Sequence, residues 1–315
     1  MSAALQPVTA PEACPWPVRE LVCGFERPGG GWLEARGRLV GPHDGPAAIV
    51  LGGVSAGRGL CPDGEVEGWW PGVAGPGGAL DPRRRQLLSI DFLAEDCAPF
   101  PAPADQAAAV LALADAAGLE RFSLIGASYG GVIALETAVR APHRVRKLDI
   151  FCAAARPNAM TRAWRSIQRE TVQLALEAGC GARGVDIARR LAMTSYRTPE
   201  EFDARFSHAD PASRDAAGVE AYLQARGAAY AAATSPERFL ALSRSMDSAD
   251  VAVERITAPV RFAAFDSDQL VRVSDIEDTA ARLPLASVTV IKTRYGHDGF
   301  LKETAAVNDF LTARS

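Results

Sequence analysis

Lysine is almost missing from this chain. Lys147, Lys292 and Lys302 stand against 31 arginines in 315 residues, and no run of basic residues breaks a formal net charge of −4. A protein that tracks nucleic-acid phosphates needs a basic stripe, so that class is excluded. Long hydrophobic runs are also missing: none approaches the roughly 18 residues that a membrane span requires. Residues 1–16 have neither a basic start nor an apolar stretch, so they read as a loose tail rather than a signal peptide. The six cysteines, at 14, 23, 61, 97, 152 and 180, form no CxxC pair, and scattered thiols fit a reducing compartment. The four histidines, His43, His143, His208 and His297, form no HExxH or HxH pair, so no metal site is expected. What is present is the composition of a folded cytoplasmic enzyme. With 48% hydrophobic and 23% charged residues the chain is not disordered, and its length suffices for a large core.

The order of apolar runs sets the fold class. Val18–Phe25 and Trp32–Val40 alternate loosely around a Pro-Gly-Gly-Gly turn and predict an antiparallel hairpin at a sheet edge. Residues 47–52 and 86–92 are short, apolar and bounded by Gly, Pro or charge, as strands buried on both faces are. A helix is expected over 104–118, a strand over 122–126, a helix over 130–140 ended by Pro142, and a strand over 145–154. Strand–helix alternation of this kind means a mostly parallel sheet with right-handed crossovers. From 156 to 250 the pattern becomes polar, Arg-rich and helical. Strand character returns at 258–265 and 286–291, and a last helix is expected over 301–314. The expected organisation is therefore a core from 17–155 and 251–315, with a helical cap of 156–250 inserted over the strand ends, where open α/β sheets carry their sites.

The strongest local signal is Gly126-Ala-Ser128-Tyr-Gly130, between an expected strand and an expected helix. A serine on a sharp strand-to-helix turn needs small neighbours, because its backbone is strained and other backbones close in on it. The serine needs a base. His297, in Tyr295-Gly-His-Asp298, follows the last strand and is the candidate; His43 lies in a turn before the core, His143 at the far end of the helix, and His208 in the cap. Asp268 follows the preceding strand and is the candidate acid, with Asp266 as its competitor. The order Ser, Asp, His is that of an α/β-hydrolase fold. The oxyanion donors would be the N–H of Tyr129 and one from Gly52-Gly-Val-Ser-Ala-Gly-Arg58, with Val54 favoured over Gly53 and Ser55.

These motifs together resemble the homoserine O-acyltransferases of the α/β-hydrolase fold. The likeness rests on Gly68-Trp-Trp70, Gly75-Pro-Gly-Gly-Ala-Leu-Asp81 and Gly126-Ala-Ser-Tyr-Gly-Gly131. It continues through Ala141-Pro-His-Arg-Val145, Ile187-Ala-Arg-Arg-Leu191 with Thr194-Ser-Tyr196, Ser245-Met-Asp247, Asp268-Gln-Leu270 and Tyr295-Gly-His-Asp-Gly-Phe-Leu301. The chain departs from the family at Tyr129, where methionine is usual, and in a shorter segment over 91–103. The resemblance implies ping-pong transfer of an acetyl or succinyl group from acyl-CoA to L-homoserine through an acyl-serine, with no bound cofactor. It implies Asp298 for the homoserine ammonium and Arg169 for its carboxylate, and a homodimer paired through the cap helices. Arg58, just past the oxyanion loop, could meet a succinyl carboxylate, but an ordinary exposed surface arginine is the favoured reading. A carboxyl-ester hydrolase, a transferase to serine or another hydroxyl, and an inactive binding scaffold are the competing readings.

Overall fold

Alternation within the core strands decides which residues face which layer. In the computed structural model, which describes residues 16–63, 67–94, 99–206 and 216–313, Ile49 and Leu51 join one apolar cluster while Ala48 and Val50 join another on the opposite face. Both faces are dry, so the run carries no polar alternation.

Eight strands form one sheet: β1 (Val18–Glu26), β2 (Trp32–Val40), β3 (Ala47–Leu51), β4 (Gln86–Ile90), β5 (Phe122–Ala127), β6 (Val145–Phe151), β7 (Val260–Phe265) and β8 (Ala286–Ile291). Their order across the sheet is β1-β2-β4-β3-β5-β6-β7-β8. β1 and β2 make the expected hairpin, β2 runs antiparallel to β4, and every other pairing is parallel. Helix α1 (Pro103–Ala117) and helix α2 (Tyr129–Arg140) cover the face of Ile49 and Leu51. The α1 N-terminus is held by Asp105, whose carboxylate accepts from the Ala102 N–H at 2.9 Å and from Arg27 of the hairpin at 2.7 Å. The other face is closed by Trp70, Leu80 and the C-terminal residues Val307, Phe310 and Leu311.

Among the described residues five α-helices stand between β6 and β7: α3 (Ala159–Glu177), α4 (Gly181–Tyr196), α5 (Pro199–Phe206), α6 (Ala216–Ala233) and α7 (Pro236–Asp247). Val172, Val185, Ala188 and Phe239 form a small core of their own within this insertion. Asn158 caps α3 by accepting from the Thr161 N–H at 2.9 Å. Its amide also donates to the Leu270 carbonyl at 2.8 Å and to Asp275 at 2.9 Å, tying the start of the insertion to the loop after β7. The Tyr129 hydroxyl, 2.7 Å from the Ser245 Oγ, ties α7 to the start of α2.

Two expectations change. A short helix α8 (Val273–Ala280) follows β7 where none is expected. The expected last helix is two pieces, α9 (Gly299–Lys302) and α10 (Thr304–Thr312), because Glu303 leaves helical geometry at φ −88°, ψ 54°. The expected tail lies outside the described residues except for Trp16, which is buried against the Trp70 layer. Among the described residues no helix is long and apolar enough to cross a membrane.

Candidate active site

The Gly-x-Ser-x-Gly segment folds into the turn that its composition requires. Ser128 ends β5 and opens α2 with φ 55° and ψ −124°, a strained backbone for a residue with a side chain. Two glycines make the turn possible by close approach. A Cβ on Gly130 would lie 2.2 Å from the Leu51 carbonyl oxygen, and one on Gly126 would lie 2.5 Å from the Gly130 oxygen. The strained geometry lifts the serine hydroxyl clear of the sheet at the N-terminus of a helix of 12 residues, where N–H groups and the helix dipole favour developing negative charge.

His297 lies in a one-turn 3-10 helix, Gly296–Asp298, beyond β8. Its Nε2 is 2.7 Å from the Ser128 Oγ and its Nδ1 is 2.7 Å from the Asp268 Oδ2. The second Asp268 oxygen accepts from the N–H groups of Leu270 at 2.8 Å and Val271 at 3.1 Å. Four protein contacts thus fix the acid and the tautomer of the ring that suits proton removal from serine. Asp266 accepts instead from the Thr293 N–H, away from the imidazole. His43 and His143 are exposed, and His208 lies outside the described residues. The Cys152 thiol sits within 4.8 Å of the Asp268 and His297 donor atoms, and burial beside the Asp268 charge pushes its pKa well up, so it stays protonated.

Burial opposes charge on His297, but the Asp268 carboxylate, their hydrogen bond and Asp298 outweigh it and hold the imidazole above its ordinary pKa. An imidazole that is to take the Ser128 proton can do so only when neutral. Acylation of Ser128 should therefore lose rate as pH falls through a midpoint above about 6.5, the ordinary imidazole value. A pre-steady-state profile with its acid limb below that value would contradict the Asp268–His297 pairing.

The loop after β3 closes over the serine. Val54 lines two of the cavities that open on Ser128, and a Cβ on Gly53 would touch the Ser128 Cβ at 3.8 Å. Neither the Val54 nor the Tyr129 N–H meets a protein acceptor among the described residues.

Three cavities share Ser128. One holds His297, Asp298, Arg189, Tyr196, Trp69 and Phe300. Asp298 accepts from the Arg197 Nε at 2.7 Å, and Arg197 also grips Glu201 at 3.0 Å, so the carboxylate is held in place at this wall. Arg169 is not brought to the serine. Its guanidinium is taken by Asp247 at 2.6 Å and the Ser243 Oγ at 2.9 Å, and it lines none of the three cavities. Arg58 is likewise engaged, by Asp91 and by Glu20 at 3.0 Å, outside all three. The cation that faces Ser128 together with Asp298 is Arg189, between the rings of Tyr196 (5.2 Å) and Tyr230 (4.6 Å), with no carboxylate paired to it among the described residues. A signal for it was in the sequence: Arg189 and Tyr196 are seven residues apart and so share one face of α4.

A strained serine on a strand-to-helix elbow, in line with a histidine and an aspartate from the ends of later strands, defines a nucleophilic enzyme of the α/β-hydrolase fold. The family model of that fold matches residues 67–304. Homoserine O-succinyltransferase of Xanthomonas campestris is 38% identical over 290 residues, covering 89% of this chain and 78% of that protein. Homoserine O-acetyltransferase of Thermus thermophilus is 34% identical over 280 residues, 78% of this chain and 72% of that one. The chain belongs to the homoserine O-acyltransferase family. A solved esterase structure superposes with a TM-score of 0.80 at 17% identity over 94% of this chain and all of its own, a likeness of fold alone.

Proposed function

We propose that this protein is a cytoplasmic homoserine O-acyltransferase that works by a ping-pong reaction, with the 156–250 insertion as a cap over the site. The observation that carries the reading is the pairing of Arg189 and Asp298 in one cavity beside the Ser128–His297 dyad: a cation and an anion set to hold an α-amino acid by both charged groups. A hydrolase needs neither.

In the first half-reaction the Ser128 proton passes to His297 Nε2 as Oγ attacks the thioester carbonyl of acyl-CoA. The Tyr129 and Val54 N–H groups receive the oxyanion. The C–S bond breaks, the imidazolium returns its proton to sulfur, and CoA leaves. Homoserine then enters with its ammonium toward Asp298 and its carboxylate toward Arg189. Its hydroxyl loses a proton to His297 as its oxygen attacks the acyl carbonyl; the bond from that carbon to Ser128 Oγ breaks, and the imidazolium returns the proton to Oγ. Water is far more concentrated than any amino acid, so the acceptor competes through alignment, which is worth effective molarities up to about 10⁵–10⁸ M. Acyl-CoA is a substrate here, and no resident cofactor enters any step.

The test is acyl-CoA with and without L-homoserine, following CoA release and intact protein mass. A burst of CoA with acylated protein, followed by turnover when homoserine is added, is the expected result. Turnover that proceeds equally fast with water alone would make the protein an ester or thioester hydrolase.

A homodimer through the insertion belongs to the same reading. Met160, Ile167 and Leu174 recur every seven residues on α3 and are 58%, 53% and 59% exposed. An apolar stripe of that kind marks an interaction face. Ile167→Asp combined with Leu174→Asp should convert a dimer to a monomer in analytical ultracentrifugation, and an unchanged sedimentation coefficient would place the partner elsewhere.

A further inference from the structure

Arg165, one turn before Arg169 on α3, has no part in the mechanism above, yet it lines two of the three cavities that open on Ser128. It is held deep. Its Nε donates to the Asp247 Oδ1 at 2.6 Å, while the Asp247 Oδ2 is taken by Arg169 at 2.6 Å. The side chains of Arg165, Arg169 and Asp247 are only 14%, 18% and 11% exposed. Two guanidinium charges therefore share a single carboxylate, and no other acid pairs with either arginine among the described residues. A buried cluster of net charge +1 is costly unless something anionic completes it. The Arg165 Nη2 is buried beside Asp247 but at an angle that makes no hydrogen bond, so donor capacity remains.

The division of the cavities says which anion. The cavity of Asp298 holds Arg189 and excludes Arg165; one Arg165 cavity, lined by Tyr129, Val132, Leu270 and Val271, excludes Arg189 and Asp298. The amino-acid acceptor has both its charges met in the first. The second sets Arg165 among apolar residues next to Ser128; it also reaches Arg156 and Asp275, the latter already engaged by Arg272 and Asn158. The Arg165 charge is also felt at the reaction centre, where it opposes protonation of His297.

We infer that Arg165, braced by Asp247, binds the distal carboxylate of a dicarboxylic acyl group while its other end is esterified to Ser128, which makes a succinyl-type thioester the preferred donor. The inference rests on the acyltransferase reading and decides between its two donors. A planar guanidinium suits a carboxylate, and apolar contacts along the wall suit the methylenes between. Acetyl has no group to meet this charge.

The experiment is rapid-quench CoA release from succinyl-CoA and from acetyl-CoA, without acceptor, for the wild type, Arg165→Met and Arg165→Lys. The wild type should be acylated faster by succinyl-CoA. Arg165→Met should lower the succinyl rate roughly 10- to 100-fold with the acetyl rate within about 3-fold, and Arg165→Lys should restore part of it. Free succinate should slow acetyl-CoA acylation of the wild type competitively where acetate does not, a measurement that no folding defect can disturb. Equal loss with both donors, a wild-type preference for acetyl-CoA, or a rise in homoserine KM without a donor effect would overturn the inference and leave the acyltransferase intact. Absence of CoA release from both donors would overturn that reading, and this inference with it.

Discussion

Ser128→Ala is expected to abolish acylation. CoA release should fall about 10⁴-fold or more, and no acylated protein should be seen by intact mass. The fold should survive, because the change removes one oxygen and one hydrogen bond, to His297 at 2.7 Å, worth about 1 kcal/mol. The φ of 55° at position 128 is as strained for alanine as for serine, so the elbow itself is unaltered. His297→Ala should cost nearly as much, and the double variant should be no slower than the worse single one, since a nucleophile without its base and a base without its nucleophile fail at the same step. His143→Ala should be silent. Residual acylation of the alanine variant would mean that another group attacks the thioester.

The cluster of Ser128, His297 and Asp268 was legible because each sits at the end of a strand that announces itself. Residues 122–127, 260–265 and 286–291 are short apolar runs, and polar residues just beyond such runs have one place to go in a parallel sheet, the C-terminal edge. The choice between Asp266 and Asp268 was less open than it looked. The turn after β7 gives Asp268 two backbone N–H partners and leaves Asp266 bonded to the Thr293 N–H on the β8 side.

Which arginine of residues 156–250 faces the serine was only faintly legible, in the spacing of Arg189 and Tyr196. Residues 156–250 contain arginine after arginine on amphipathic helices, and which face of a helix meets the serine depends on how α3, α4 and α7 cross. Those crossings are set by Val172, Val185, Ala188 and Phe239, whose pattern reveals that the helices pack but not at what rotation. Arg169 turns to Asp247, while Arg189, on a helix packed against α3, turns to the site. The break at Glu303 and helix α8 escaped for a simpler reason. Helices of four to nine residues carry about two and a half turns of periodicity at most, too little to register.

Asp298→Asn separates holding an acceptor from activating a serine. The substitution keeps shape and the hydrogen bond from Arg197 but removes the charge proposed to meet the acceptor's ammonium. A charge-assisted hydrogen bond is worth roughly 1.5–3 kcal/mol, so kcat/KM for homoserine should fall about 10- to 150-fold. Acylation by acyl-CoA at high pH should be nearly unchanged, because it uses Ser128, His297 and the oxyanion donors. The acyl-enzyme then outlives its acceptor, and slow hydrolysis becomes the main outcome. A second signature follows from electrostatics. Asp298 is one of the charges that raise the His297 pKa, so its loss should move the acid limb of the acylation profile to lower pH. A lost acceptor contact alone leaves that limb in place. If Asp298→Asn slows CoA release in the absence of homoserine as much as it slows overall transfer, the carboxylate serves the triad and the acceptor's ammonium is held elsewhere.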